Sequence, residues 1–177
     1  MEKFQNKYRI PSARLKGYDY GANGAYFVTI NTKHRLHYFG KIVRDDAYSP
    51  AYLQSTPIGK IAHEYWTEIP KHYPFVELDE FTVMPNHIHG ILFFNKPDKT
   101  DWTPNKFGVQ SQNLGSVMRA FKSSVKRYAN DNHIEFIWQS RFHDNIIKDE
   151  EALNNIRRYI ANNPDNWAND EMNKPEQ

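Results

Sequence analysis

The run Met84-Pro85-Asn86-His87-Ile88-His89-Gly90 narrows what the chain can fold into more than any other stretch. Pro-Asn turns a backbone, and the residues on either side of it, 73–83 and 87–94, are rich in aromatic and β-branched types that favour strands. The expectation is a hairpin whose second arm starts at His87. Side chains in a strand alternate, so His87 and His89 project from one face. Two neutral imidazoles side by side can grip a divalent cation, which can in turn polarise a phosphate or a water. Two histidines on a half-exposed strand can also do no more than hydrogen-bond to their neighbours, and the pair alone leaves both uses open.

The rest of the chain supplies partners for that hairpin. Residues 26–31, Tyr-Phe-Val-Thr-Ile-Asn, read as a central strand covered on both faces. Thr56 as N-cap and Pro57 at the first helical position open a helix carrying Ile58, Ile61, Ala62, Tyr65 and Ile69, which should end by Pro70. Residues 95–112 are polar, with Gly and Pro, and read as a loop. Over residues 114–129 the apolar set Leu114, Val117, Met118, Phe121, Val125 and Tyr128 keeps helical spacing, while Arg119, Lys122, Lys126 and Arg127 occupy the other side. Residues 134–147 suit a fourth strand. Asp149 caps a last helix, Glu150 and Glu151 favour its positive end, and Pro164 should stop it after Asn163. This order predicts an α/β sandwich of the α+β kind, ferredoxin-like or RRM-like, with a mostly antiparallel sheet and helices packed on one side. Residues 1–23 form a basic arm, 24–167 the domain and 168–177 a polar tail.

Composition limits the chemistry. At 177 residues one core is expected. A net charge of +2 means that any nucleic-acid surface must be local. The aromatic share of 15% serves a core and could also serve base stacking. With no cysteine, metal ligands must be His, carboxylate or amide. No apolar run of about 18 residues and no leader-like segment is visible, so a soluble cytoplasmic protein without a membrane partner is expected.

On the last helix Leu153, Ile156 and Ile160 make the apolar stripe, and Tyr159 and Asn163, four residues apart, share a face along its border. Taken with residues 26–30, the Val83–Gly90 run, Trp138-Gln139-Ser140-Arg141-Phe142-His143-Asp144 and Ile156-Arg157-Arg158-Tyr159-Ile160-Ala161-Asn162-Asn163-Pro164, this order resembles the HUH-type single-tyrosine transposases, and within them the REP-associated branch. The resemblance spans about residues 20–167 and implies the same fold.

It further implies that His87 and His89 bind the metal, Mg²⁺ or Mn²⁺, that Tyr159 is the nucleophile, and that Asn163 stands where the family places a third, amide ligand; some relatives carry Gln there. Attack by Tyr159 would leave a 5′-phosphotyrosine and a free 3′-hydroxyl on single-stranded or hairpin DNA, in an active site built within one chain or across a homodimer. A phenol is a poor nucleophile at neutral pH, so it needs the charge neutralisation a metal gives. Arg119, Lys122, Lys126, Arg127 and Arg141 are candidates for contacts to DNA phosphates, and Lys7, Arg9 and Arg14 for reading the hairpin. Two rivals remain at this level: a hairpin-binding protein without cleavage activity, and a metal-dependent phosphodiesterase in which water attacks.

Overall fold

A computed structural model describes residues 15, 17–97 and 112–174, together with the backbone of a two-stranded pairing near the amino terminus, β1 (Lys3–Phe4) and β2 (Lys7–Tyr8). The elements that follow are β3 (Gly24–Asn31), β4 (Gly40–Val43), β5 (Tyr52–Ser55), α1 (Pro57–Thr67), α2 (Ile69–His72), β6 (Val76–Val83), β7 (His87–Phe94), α3 (Leu114–Asp131), β8 (His143–Ile147) and α4 (Glu150–Asn166). The central sheet has the order β6-β7-β3-β8 with every pairing antiparallel. Its connections, strand-helix-strand-strand-helix-strand, make it ferredoxin-like as expected.

The alternation along β3 divides the molecule. Tyr26, Val28 and Ile30 are fully buried on one face, with Ile88 and Leu92 of β7, Trp66 of α1, and Leu114, Met118 and Val125 of α3. Phe27 and Thr29 point the other way, toward α4, where the Phe27 ring meets Tyr159 edge-on at 6.3 Å. Helices therefore cover both faces, which corrects the expectation of a one-sided sandwich. The physical reason is α4's own stripe: Ile160 is fully buried, as is Ile91 of β7, and both lie outside the main core cluster.

Local signals behave as their chemistry dictates at most boundaries. Thr56 accepts from Gly59 N and caps α1, Asn113 and Ser116 form a capping box on α3, and Asp149 accepts from Ala152 N at the start of α4. Pro164 does not stop α4, which runs on to Asn166. A proline in the last turn removes one N–H, but the next turn is held by Trp167, which is 8% exposed and whose N–H donates to Pro164 O. The stretch 134–142 is extended but makes only one isolated bridge, Thr32 to Trp138, and regular pairing starts at His143. Two of its carbonyls are taken by α3, Lys126 Nζ donating to Phe136 O and Lys122 Nζ to Gln139 O, while Ile137 O accepts from Lys33 N. The β4–β5 ribbon lies in a region to which the sequence assigned no element. Of the loop expected over 95–112, residues 98–111 lie outside the described residues. The end of the expected arm packs down, with Tyr20 buried and its carbonyl accepting from Leu114 N.

The hairpin turn before His87 is fastened on all sides. Met84 N donates to His87 O, Phe39 N to Pro85 O and Thr32 N to Asn86 O. Gly90, the residue after the second histidine, lets Trp66 pack closely against β7: a Cβ at this position would clash with Trp66 Cζ2. The glycine is thus a packing requirement. Gly90→Ala should lower the unfolding free energy by about 1–3 kcal/mol through overpacking against Trp66. Urea denaturation measures it, and an unchanged midpoint would show that the indole yields freely.

Candidate functional site

The register of β7 on β3 sets His89 opposite Thr29 and His87 opposite Asn31, with the imidazole centroids 4.4 Å apart. Both are buried, at 0% and 3% exposure. From α4, Tyr159 brings its hydroxyl to 3.1 Å from His89 Nε2, and Asn163, one turn on, is 2% exposed. The four residues His87, His89, Tyr159 and Asn163, drawn from β7 and α4, therefore come together in one place.

The hydrogen bonds around His87 fix its tautomer. The Asn86 amide nitrogen donates to Arg35 O and to Met172 O, so its Oδ1 is the atom that faces His87 Nδ1 at 2.7 Å. An amide oxygen only accepts, so Nδ1 carries the proton and Nε2 carries a lone pair. That Nε2 is buried and has no hydrogen-bond partner. Asn163 has the same character: Nδ2 donates to Asp170 Oδ2 at 3.1 Å, and Oδ1 is buried without a partner. An orphaned buried acceptor costs roughly 1–3 kcal/mol, and here two of them meet. His89 has Thr29 Oγ1 2.8 Å from Nδ1 and receives the Tyr159 hydroxyl at Nε2.

Burial also settles the charge. His87 is pushed down to about 4 mainly by desolvation, against which the neighbouring Asn163 amide acts, with small contributions from Arg35 and His37. His89 is pushed down to about 3 by desolvation and by His87, opposed by Asp170. Both rings are neutral at pH 7, the state in which imidazole can ligate a metal. The Tyr159 phenol is raised above its usual value by burial and by Asp170, with Asn163 opposing, so it stays protonated near neutrality and donates to His89.

Among the described residues no group of three His, Asp or Glu side chains is set for a metal. The donor set that fits one is two imidazole Nε2 atoms with the Asn163 amide oxygen, all neutral, of which two have no other partner. His89 Nε2 is shared, since its single lone pair can serve either the Tyr159 hydroxyl or a cation.

The basic residues lie elsewhere. α3 packs on the sheet face opposite the histidines. Arg119 and Arg127 are exposed along it, whereas Lys122 and Lys126 are half-buried and hold backbone carbonyls. Desolvation pushes Lys122 down to about 8, and its ammonium stands 5.8 Å from the Trp138 ring centre. Arg141 is exposed ahead of β8. Lys7 is in β2, and its side chain, like Arg9 and Arg14, lies outside the described residues. Sequence reasoning passed over Asn86, Thr29, Trp167 and Asp170. Asn86 stood inside the motif, next to the histidine it orients. Thr29 follows from strand pairing. Asp170 gives no sequence signal, because it acts through a turn in what reads as a polar tail.

No family model matches this chain. An uncharacterized protein of Haemophilus influenzae is 35% identical over 170 residues, covering 91% of each chain. A second protein of that organism, whose name assigns it provisionally to the REP-associated tyrosine transposases, is 29% identical over 140 residues, 75% of this chain and 72% of its own. A solved REP-associated tyrosine transposase bound to a REP hairpin has a similar fold: TM-score 0.56 at 18% identity, covering 89% of this chain and 74% of that one. Among the described residues no helix is long and apolar enough to cross a membrane.

The protonation states give a direct test. Folded His87 and His89 refuse protons down to about 4 and 3, whereas in the unfolded chain they take them up near 6.5. Between those limits the unfolded state binds more protons, so the stabilising contribution is whole above pH ~6.5 and is lost progressively on acidification. Thermal midpoints should fall as pH drops through this window, and less steeply in a His87→Gln/His89→Gln variant. Equal slopes would contradict the assignment of two buried neutral imidazoles.

Proposed function

We propose that this chain, which belongs to one family with the uncharacterized Haemophilus influenzae protein, is a metal-dependent single-tyrosine nuclease and strand transferase acting on single-stranded DNA that carries hairpins. The observation that supports this most is the meeting of two orphaned buried acceptors, His87 Nε2 and Asn163 Oδ1, with a half-exposed tyrosine hydroxyl on His89. A packed core has no use for that arrangement. The likeness of fold to a transposase bound to a REP hairpin points the same way, as does the second relative's name.

His87 and His89 through their Nε2 atoms and Asn163 through Oδ1 would hold Mg²⁺ or Mn²⁺. When bound, the ion supplies positive charge that neutralises a scissile phosphate and favours the developing negative charge of the transition state. Tyr159 does the covalent work. Its Oη forms a bond to phosphorus, the P–O3′ bond breaks, the phenol gives up its proton and the leaving 3′-oxygen takes one up. The product is a 5′-phosphotyrosine and a 3′-hydroxyl, and attack by another 3′-hydroxyl reverses the step without ATP. Phe27 keeps Tyr159 in place from the sheet side, and Asn86 and Thr29 hold the imidazoles in ligating orientation. Substrate must be unpaired at the cut, because a stacked duplex cannot bend its phosphate down to a sheet face.

A labelled DNA hairpin with a single-stranded flank, incubated with Mn²⁺ and run on a denaturing gel, should give a covalent protein–DNA band with wild type and none with Tyr159→Phe, which loses only a hydroxyl. Binding without any band in the wild type would favour a hairpin-binding protein, and cleavage by the Phe variant at a comparable rate would favour water as nucleophile.

For phosphate contacts on α3 the structure favours Arg119 and Arg127, two turns apart and exposed, over Lys122 and Lys126, whose ammonium groups hold the 136–141 backbone. Arg119→Ala/Arg127→Ala should weaken DNA binding about equally across sequences and reduce the logarithmic salt slope by roughly 1.4 to 1.8. Isotherms over a salt series decide it; an unchanged slope would place the DNA on another surface.

A further inference from the structure

Beyond α4 the chain makes two single turns of 3-10 helix, Trp167–Asn169 and Glu171–Asn173, with Asp170 between them. This stretch does not trail away. Trp167 is buried and its ring lies 5.9 Å from that of His87. Arg35 Nη1 donates to Glu171 O at 2.7 Å and to Lys174 O at 3.3 Å, tying the far end to the segment after β3.

Two hydrogen-bond paths leave the turn at 170–172 and end on the two orphaned acceptors. On one side Asp170 Oδ2 accepts from Asn163 Nδ2, and since the amide nitrogen is thereby pinned, Oδ1 is the atom directed away into the site. On the other side Met172 O accepts from Asn86 Nδ2 at 2.7 Å, which leaves Asn86 Oδ1 to take the proton of His87 Nδ1 and so directs the His87 Nε2 lone pair into the same site. The two paths are joined within the turn, where Asp170 Oδ1 accepts from Met172 N at 2.7 Å. Asp170 is the only side chain in this circuit that accepts on both oxygens from its two arms.

We infer that Asp170 is a positioning residue: with both carboxylate oxygens it locks the 170–172 turn so that the Asn163 amide oxygen and the His87 Nε2 converge as ligands for one divalent cation. The inference rests on the metal-dependent reading of the site and adds to it a residue that touches neither substrate nor metal. Without Asp170 the Asn163 amide is free to turn over and present its NH₂ group, which cannot ligate a cation, and the Met172 carbonyl loses the support that holds Asn86 in place. Outer partners of this kind typically change metal affinity by about 10- to 100-fold.

The experiment is titration of the whole chain with Mn²⁺ alone, free Mn²⁺ being read by its electron paramagnetic resonance signal, for wild type, Asp170→Ala and Asp170→Asn. Wild type should bind one Mn²⁺, and Asp170→Ala should bind it about 10- to 100-fold more weakly. Asp170→Asn, which has a single oxygen for two donors, should fall between them; it decides the matter if the alanine variant does not fold. In the cleavage assay the Mn²⁺ concentration for half-maximal rate should rise while saturating Mn²⁺ restores the rate, a rescue that a merely structural role would not give. Equal affinity in all three proteins, or a loss of rate that Mn²⁺ does not restore, overturns the role of Asp170 and leaves the metal site standing. Failure of the wild type to bind Mn²⁺ overturns both.

Discussion

The structure around the site depends on one hydrogen bond, from His87 Nδ1 to Asn86 Oδ1. A fully buried imidazole has two nitrogens to account for, and burial forbids it a charge, so one nitrogen must donate and the other must keep a lone pair. Asn86 decides which. Its amide nitrogen is committed to two backbone carbonyls, one from the segment after β3 and one from the carboxy-terminal turn, so its oxygen has a single possible orientation. The polar circuit continues from there through the turn to Asn163. What emerges is a buried pair of acceptors, His87 Nε2 and Asn163 Oδ1, that nothing in the protein satisfies, and Asn31 Oδ1, on the strand residue paired with His87, is a third. A deficit so placed suits the proposed cation, which would supply what the protein withholds.

The sheet makes this affordable because its two faces do different things. The face toward α1 and α3 carries the large apolar core, and Gly90 lets Trp66 press onto β7 from that side. The opposite face carries the histidines with Phe27 and Thr29 and receives α4. Stability resides mostly on the first face, which leaves the second able to hold unsatisfied polar atoms. Tyr159 stands at the edge of that second face, at 46% exposure, where a strand of DNA could reach it.

Much of this was legible in the sequence wherever a short period governed it. The two-residue period of a strand put His87 and His89 on one face, and the four-residue period of a helix put Tyr159 beside Asn163; both hold. The capping residues Thr56 and Asp149 act locally, so they too could be read directly. What escaped depends on contacts distant in sequence. Pro164 reads as a helix stop until Trp167 is seen to be buried beyond it. Lys122 and Lys126 read as a solvated basic face until the carbonyls of residues 136–141 are found against them. The polar residues after 167 read as a tail, because nothing in Asp170 or Met172 announces that they meet Asn163 and Asn86. The side of the sheet on which α4 lies is likewise a matter of how much apolar stripe β7 leaves uncovered.

His87 Nε2, His89 Nε2 and Asn163 Oδ1 are proposed to form a cation site beside Tyr159. The most direct measurement is anomalous X-ray scattering from crystals of the protein soaked in Mn²⁺. One strong anomalous peak is expected within bonding distance of these three atoms, with the Tyr159 hydroxyl displaced from His89. No peak there, or a peak at another group of residues while Tyr159 stays on His89, would contradict it.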